Sequence, residues 1–184
     1  MTTFLAFARA INLGKERRFG KEELRLATES VGATGVLTHG NTGNVRLELD
    51  LGRDETAEVG DLLEAAYRAD RGFEVPTCVF TPEQLAHVVA VADDLRSRLA
   101  PRSHYAQLLR RVPQEADREA FAAAHPDQRF GPGGHVVLGE RSVHVVVAEG
   151  PGEVRLLQPS RLARLGLGTA RNVTVLRTLA ERWT

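Results

Sequence analysis

The chain has little of several residue types on which small functional sites often depend. It contains one cysteine, one tryptophan and two tyrosines in 184 residues, and its 24 basic side chains equal its 24 acidic ones. A single cysteine, Cys78, cannot form an internal disulfide, so we expect a reducing, cytoplasmic location. The zero net charge leaves no overall field that would attract nucleic acid or an anionic membrane.

Long apolar runs and the common catalytic motifs are also missing. The apolar run at the N-terminus, residues 4–8, is too short for a signal peptide or a membrane span, so we expect no membrane partner. The six histidines show no HxxxH spacing and no pairing with the cysteine, so we expect no metal. No GxSxG motif, phosphate-binding loop or complete dinucleotide fingerprint occurs, and we expect no cofactor. The sequence therefore specifies no reaction.

The hydrophobic content, 42%, is that of an ordinary globular protein, and the length suits one sizeable core or two small ones. Charge is uneven along the chain. Residues 1–95 carry 10 basic and 16 acidic side chains, and residues 96–184 carry 14 and 8. Attraction between two subdomains, or different solvated faces, explains this asymmetry more simply than a charged partner does.

The first 80 residues alternate between strand-like and helix-like patterns. Apolar periodicity and turn residues predict six elements: a strand at 4–10, a helix at 21–30, strands at 36–39 and 44–49, a helix at 55–69 and a strand at 75–80. This order is that of a ferredoxin-like βαββαβ unit, in which four antiparallel strands carry two helices. We therefore predict an α+β fold with a ferredoxin-like N-terminal half.

A further helix and a linker follow this unit. Thr81 as N-cap, Pro82 at the first helical position and Gln84 completing a capping box predict a helix start. The charged stretch 94–102, which contains Pro101, is the best linker candidate. We therefore predict two domains, residues 1–95 and 96–184.

The second half shows a similar but looser alternation. The predicted elements are a strand at 104–111, a helix at 114–124, a hairpin formed by 136–138 and 143–148, a possible strand at 154–158, and helices at 160–165 and 173–183. No sequence identity with the first half is visible. The pattern predicts a second, smaller α+β subdomain of similar layout, ending in C-terminal helices.

Four short motifs carry a resemblance to a known family. They are Arg9-Ala10-Ile11-Asn12-Leu13-Gly14, Asn41-Thr42-Gly43-Asn44, Gly72-Phe73-Glu74-Val75-Pro76 and Thr169-Ala170-Arg171-Asn172. In order and spacing they make the chain resemble the DUF1697 family of uncharacterised bacterial proteins over nearly its whole length. The resemblance implies an α+β fold with a ferredoxin-like N-terminal half and implies no established activity. The chain departs from the family pattern at Ala10, Lys15, Asn41-Thr42 and Val173, where glycine, glycine, Gln-Ser and an aromatic residue are usual.

The same motifs supply the candidate ligand-binding residues, which are Arg9, Asn12, Asn41, Asn44, Arg171 and Asn172. An arginine can donate two parallel hydrogen bonds to a carboxylate or phosphate. A salt bridge, or hydrogen bonds to backbone carbonyls, would engage Arg9 equally well. Asn12 and Asn44 are also typical turn formers, and Asn172 or Thr169 can cap the last helix. Our hypothesis is that Arg9, Asn44 and Arg171 converge at the junction of the two halves and bind a small anionic ligand.

Two other classes of function stay open. In the first, a hydrolase or transferase would act on an anionic substrate, with Arg9 and Arg171 as electrostatic clamps and His39 as acid or base. In the second, an interaction module would use the basic cluster between Lys15 and Lys21. A nucleic-acid version of that module is disfavoured, because sheets that bind RNA need exposed aromatic residues that this chain has few of. The sequence does not specify the oligomeric state.

Overall fold

The structure is a computed structural model that describes residues 1–12, 17–129, 133–147 and 162–183. The chain divides into two compact units, Met1–Leu85 with Arg182–Thr184, and Ala86–Glu181. The described residues contain five α-helices and two four-stranded antiparallel sheets. The predicted α+β class is confirmed.

The first unit is built from six elements in the order strand, helix, strand, strand, helix, strand. They are β1 (Thr2–Ala8), α1 (Lys21–Glu29), β2 (Thr34–His39), β3 (Asn44–Leu49), α2 (Thr56–Arg71) and β4 (Thr77–Phe80). The strands are ordered β2-β3-β1-β4 in the sheet, and each neighbouring pair is antiparallel. The strand that comes first in sequence therefore lies in the middle of the sheet, between β3 and β4.

Apolar side chains of the central strands form the core of this unit. Phe4 lies opposite Leu47, and Ala6 lies opposite Val45, and all four side chains are buried in one apolar cluster. Successive strand residues point to opposite faces, so the clean apolar and polar alternation of β3 places its apolar side chains on one side. The core also contains the buried Tyr67 of α2.

The second unit repeats this strand order. α3 (Pro82–Leu99) leads into it, and its other elements are β5 (Ser103–Leu109), α4 (Glu115–Ala124), β6 (Gly134–Leu138), β7 (Ser142–Val147), β8 (Gly168–Asn172) and α5 (Val173–Trp183). Single 3-10 turns occur at Pro126–Gln128 and Ala163–Leu165. The strands are ordered β6-β7-β5-β8, so the first strand of this unit is again central. Both sheets therefore have their strands in the same order.

The capping box at the start of α3 is confirmed. Gln84 donates its backbone N–H to Thr81 Oγ1 at 3.3 Å, and Thr81 donates its backbone N–H to Gln84 Oε1 at 3.0 Å. The predicted linker at 94–102 is wrong over most of its length, because α3 continues to Leu99. The helix ends at Ala100, whose backbone is left-handed (φ 43°), and at Pro101, which cannot continue it. The predicted boundary between residues 95 and 96 thus falls inside a helix.

One other sequence prediction differs from the structure at the C-terminal end. Residues 169–172, where the sequence predicted no strand, belong to strand β8. The predicted helix at 160–165 is described only from residue 162, which is helical and is followed by the 3-10 turn Ala163–Leu165. The possible strand at 154–158 lies outside the described residues.

A close approach of two backbones fixes the turn between β2 and β3. Gly43 has a left-handed backbone (φ 77°), and its carbonyl accepts a hydrogen bond from the Ala8 N–H at 2.8 Å. A Cβ atom at this position would lie 2.8 Å from the Ala8 Cβ and 3.1 Å from the Ala8 carbonyl oxygen. Only glycine fits there without displacing β1.

We expect Gly43→Ala to lower the free energy of unfolding by about 2 to 4 kcal/mol, combining backbone strain with a steric clash. Gly72→Ala is the matched control, because Gly72 also has a positive φ, 73°, but nothing lies within 4 Å of the place that an added methyl group would occupy. The control should lose about 1 kcal/mol, from strain alone. Urea unfolding of both variants measures the difference, and equal losses would contradict the close approach.

Candidate functional site

Asn12 is fully engaged with backbone groups of the first unit. Its amide nitrogen donates to the carbonyl oxygens of Phe19 at 3.0 Å and Asn41 at 2.6 Å, and its amide oxygen accepts the Phe19 N–H at 2.9 Å. Its backbone is left-handed (φ 55°), a conformation that asparagine tolerates. Asn12 therefore ties the β1–α1 connection to the β2–β3 turn, and its role as a ligand group stays a prediction.

Of the other candidates in the first unit, His39 and Asn44 flank the β2–β3 turn, and Arg9 follows the end of β1. Asn44 is buried and donates its amide to Thr42 Oγ1 at 2.9 Å, as a turn former does. Arg9 is half-buried, and its guanidinium has no hydrogen-bond or ion-pair partner within the ranges that the structure describes. His39 is half-buried, with its ring edge-on to that of Trp183 at 6.3 Å between centroids.

In the second unit, the capping role predicted for Asn172 is confirmed. Asn172 Oδ1 accepts the backbone N–H of Thr174 at 2.8 Å, which makes Asn172 the N-cap of α5. The guanidinium of Arg171 donates to Thr169 Oγ1 at 2.8 Å and to the carbonyl oxygen of Ala170 at 2.9 Å. The predicted convergence of Arg171 with Arg9 and Asn44 stays a prediction, since Arg171 belongs to the other compact unit.

A cavity of about 340 Å³ lies in the second unit where three elements end or begin. Because β8 pairs with β5, and Tyr105 lies opposite Asn172, the start of α5 is held beside the start of β5. The last turn of α3 brings Arg96 to the same place. Arg102 and Arg177 also line this cavity, which we call the arginine cavity.

The arginine cavity is strongly basic. Among the described residues its lining contains three arginines and no acidic side chain, and α5 has no acidic residue in its first turn. Arg177 forms an ion pair with Asp93 of α3, just outside the lining. In the described part of the chain, the guanidinium groups of Arg96 and Arg102 have neither a hydrogen-bond nor an ion-pair partner. The free N–H groups of a helix start add further positive potential.

The cavity lining contains one histidine, His104, which connects the cavity to buried side chains through a hydrogen bond. It is 7% exposed, and its Nε2 lies 3.1 Å from Nδ1 of the fully buried His144. The Nε2 of His144 in turn lies 3.1 Å from the Oγ of Ser142, which is also buried. These three side chains form a continuous hydrogen-bonded chain, which we call the Ser–His–His chain.

Both imidazoles of this chain are held neutral. Burial, with a smaller effect of the nearby Arg177, lowers the pKa of His104 from 6.5 to about 4. Burial, with smaller effects of His104 and His87, lowers the pKa of His144 from 6.5 to about 3. The carboxylate of Asp93 opposes the lowering of the pKa of His104, but burial has the larger effect, so each ring keeps one proton at neutral pH.

Two other cavities, each of about 460 Å³, are less suited to an anion. One lies in the second unit beside α4, where Glu115, Glu119 and Asp127 outnumber Arg118 around an apolar floor. The other lies in the first unit beside Asn12 and Asn41 and contains both Arg18 and Glu23. Of these three cavities in the described ranges, the arginine cavity is thus the one whose charged side chains are all basic.

The described ranges offer neither a metal centre nor a membrane span. No group of three or more His, Cys, Asp or Glu side chains there is arranged to hold a metal ion. None of the helices in those ranges has the length and hydropathy needed to cross a membrane. Cys78 is buried and forms no disulfide within the described residues.

These features define a mixed α+β protein with two four-stranded antiparallel sheets and an arginine-lined cavity in its second unit. The family described as protein of unknown function (DUF1697) matches residues 1–137, and the chain belongs to this family. The predicted family is confirmed over residues 1–137, which contain three of the four short motifs; the fourth, at 169–172, lies beyond the matched residues.

A solved structure is similar over the whole chain. It is that of the conserved bacterial protein SP0830 from Streptococcus pneumoniae, with a TM-score of 0.72 and 15% sequence identity. The similarity covers 100% of this chain and 99% of that one. At this identity it shows the fold alone. No curated protein matches the chain in sequence.

We expect Asn12→Asp to lower the free energy of unfolding by about 1 to 3 kcal/mol. The carboxylate has no N–H to donate and would face the carbonyl oxygens of Phe19 and Asn41. Asn41→Asp makes the same chemical change beside it and is the matched control, because Asn41 contacts Asn12 through its backbone carbonyl. Urea unfolding at pH 7 measures the stability of both variants. Equal losses of stability would contradict the role of the Asn12 side chain in joining the two segments.

The lowered pKa values of His104 and His144 predict acid sensitivity. Between pH 6.5 and about 4 the unfolded chain binds protons that the folded protein does not, so stability falls as pH falls through this window. From pH 7 to pH 5 each buried imidazole should cost about 2 kcal/mol. His144→Gln should reduce the loss. Urea unfolding at both pH values measures this, and an undiminished loss in His144→Gln would contradict it.

Proposed function

We propose that the protein binds a small anionic ligand in the arginine cavity. The observation that carries this proposal is the presence of two guanidinium groups, those of Arg96 and Arg102, without a partner among the described residues. Unpaired arginines at one cavity are suited to the planar, bidentate recognition of carboxylate, phosphate or sulfate. Binding of a small anion is also what the polar motifs of the sequence predict.

The balance of charge around the cavity supports the same proposal. Three guanidinium groups face one nearby carboxylate, that of Asp93, so about two positive charges are uncompensated among the described residues. Like charges gathered in a concave site repel each other, and an anion would relieve that repulsion. The start of α5 adds backbone N–H groups and the positive end of the helix dipole.

We further propose a ferredoxin-like arrangement for both units. The order β2-β3-β1-β4 and its repetition as β6-β7-β5-β8 support this assignment, as does antiparallel pairing throughout. Such units serve many unrelated functions, so the ligand-binding proposal rests on the cavity and not on the arrangement of strands.

The alternative functions stay as predictions of the sequence. An acid or base role for His39, with clamping by Arg9 and Arg171, has no further support in the contacts of these residues. In the basic cluster, Arg17 lies over the ring of Phe73 with its guanidinium carbon 4.9 Å from the centroid, and it donates to the carbonyl oxygen of Glu74. Part of that cluster, Lys15, lies outside the described residues.

The proposal is tested by thermal and chemical unfolding with inorganic phosphate, sulfate, pyrophosphate and acetate as probes. A bound anion at a hundred times its dissociation constant should add about 2.7 kcal/mol to the free energy of unfolding. We expect Arg96→Gln and Arg102→Gln each to weaken binding at least tenfold, because each removes a charged donor. Added sodium chloride should weaken binding in the wild-type protein as well.

Arg98→Gln is the matched control for Arg96→Gln. Arg98 lies on the same helix, two residues further on, but it pairs with Asp94 at 2.7 Å and does not line the cavity. This variant should bind anions within twofold of the wild type. If no probe stabilises the protein, or if stabilisation persists unchanged in Arg96→Gln and Arg102→Gln, the arginine cavity is not the binding site.

A further inference from the structure

The Ser–His–His chain is connected to the cavity at one end only. His104 uses Nε2 for the contact with His144, so the ring nitrogen left for the cavity is Nδ1. Within the described ranges, Nδ1 of His104 has no hydrogen-bond partner. The other end of the chain is the hydroxyl of Ser142, which is 2% exposed. A nine-tenths buried side chain therefore presents an unpaired polar atom to a basic cavity.

The register of the sheet explains why these three residues meet. On β5, His104 and Ala106 point to one face, and on β7 the residues that face the same way include Ser142 and His144, since Ala106 lies opposite His144. Ala106 is small and fully buried, and this leaves room for the two rings to approach diagonally across the strand pair.

Neutral rings allow two arrangements of protons, and the two carry equal charge. A single hydrogen lies between Nε2 of His104 and Nδ1 of His144, because one nitrogen must donate and the other accept. In the first arrangement His104 donates to His144, which donates to Ser142, and the cavity meets the lone pair of Nδ1. In the second, Ser142 donates to His144, which donates to His104, and the cavity meets an Nδ1–H.

The contents of the cavity decide between these arrangements. With the cavity empty, the positive field of Arg177 and its neighbours favours a lone pair at Nδ1 of His104. An oxyanion reverses the preference, since its oxygens only accept hydrogen bonds. No charge has to be created in the interior in either direction.

We infer that the ligand of the arginine cavity is a fully ionised oxyanion held by the Nδ1–H of a neutral His104, and that its binding reverses the direction of every hydrogen bond in the Ser–His–His chain. This inference rests on the proposed function and specifies the chemistry of the ligand. His104 acts as the residue that selects acceptor-only anions, and His144 and Ser142 act as positioning residues behind it.

The charged and titratable groups around the chain come from three elements. Arg177 of α5 and Asp93 of α3 act on His104 with opposite signs and are paired to each other. His144 of β7 faces His104, and His87 of α3 acts on His144. Asp93 thus offsets part of the effect of Arg177 on His104, and the larger effect is that of Arg177.

Sulfate is the probe for the test, because it stays doubly ionised across the range used. Long-range proton–nitrogen correlation spectra of the nitrogen-15 labelled protein report which nitrogen of each histidine carries the proton. We expect His104 to change from Nε2–H to Nδ1–H when sulfate saturates the cavity, and His144 to change from Nε2–H to Nδ1–H with it. His104→Gln and His144→Gln assign the signals.

The pH dependence of sulfate binding supplies a second readout. If His104 stays neutral, the dissociation constant should change less than about twofold between pH 5.5 and pH 8. If it binds sulfate as an imidazolium instead, affinity would rise steeply, up to about tenfold per pH unit, as pH falls below the pKa of the bound state. That rise would overturn the inference while leaving anion binding itself intact.

Ser142→Ala tests the buried end of the chain. Without the hydroxyl, the arrangement in which His144 donates to Ser142 leaves a buried N–H without an acceptor, so the empty protein should already show the Nδ1–H form of His104. Sulfate should then bind without a change in the histidine signals, and Ser142→Thr, which keeps a hydroxyl, should restore the change.

The outcomes separate the two proposals. Sulfate binding with unchanged histidine signals in the wild-type protein overturns this inference alone. Absence of sulfate binding overturns the proposed function and this inference with it. A change of signals in Ser142→Ala as large as in the wild type shows that the direction of the chain is not coupled to Ser142, and it also overturns the inference.

Discussion

The pairing of one central strand on both of its edges is the constraint on which each unit depends. β1 lies between β3 and β4, and β5 lies between β7 and β8. A strand paired on both sides has its backbone groups satisfied and presents successive side chains to opposite faces. Any polar side chain on such a strand must therefore find its partners on the flanking strands or on the helices that cover that face. His104 finds one partner in His144, and its Nδ1 has no partner among the described residues.

Those features of the fold that depend on local chemistry could be predicted from the sequence. The α+β class, the capping box at Thr81 and the cap at Asn172 follow from patterns within a few residues. The linker prediction failed because a charged stretch is not a helix breaker. Asp94 and Arg98 form an i,i+4 ion pair, and α3 continues until the left-handed Ala100 and Pro101 end it.

The arginine cavity and the Ser–His–His chain could not be predicted in the same way. His104 and His144 are separated by 40 residues, and their contact depends on which strand lies beside which. Motif spacing misses such pairs, since it searches along the chain and not across a sheet. A signal was nevertheless present. A histidine in the run Val143-His144-Val145-Val146-Val147 is a polar residue inside a strand that is otherwise apolar, and the predicted layout would have placed β7 beside β5.

A buried polar chain has to be explained against the simpler alternative of an apolar face. Polar side chains taken out of water destabilise a fold unless their hydrogen bonds are completed. His144 has both ring nitrogens paired inside the protein, and the neutrality of both rings removes the larger cost of a buried charge. Nδ1 of His104 is different, because its partner is not supplied by the described residues and it opens toward two unpaired guanidinium groups. An anion from solution would supply the acceptor that is missing at this end of the hydrogen-bonded chain. Of the three cavities in the described ranges, the arginine cavity is the one whose charged side chains are all basic, which distinguishes it from the other two.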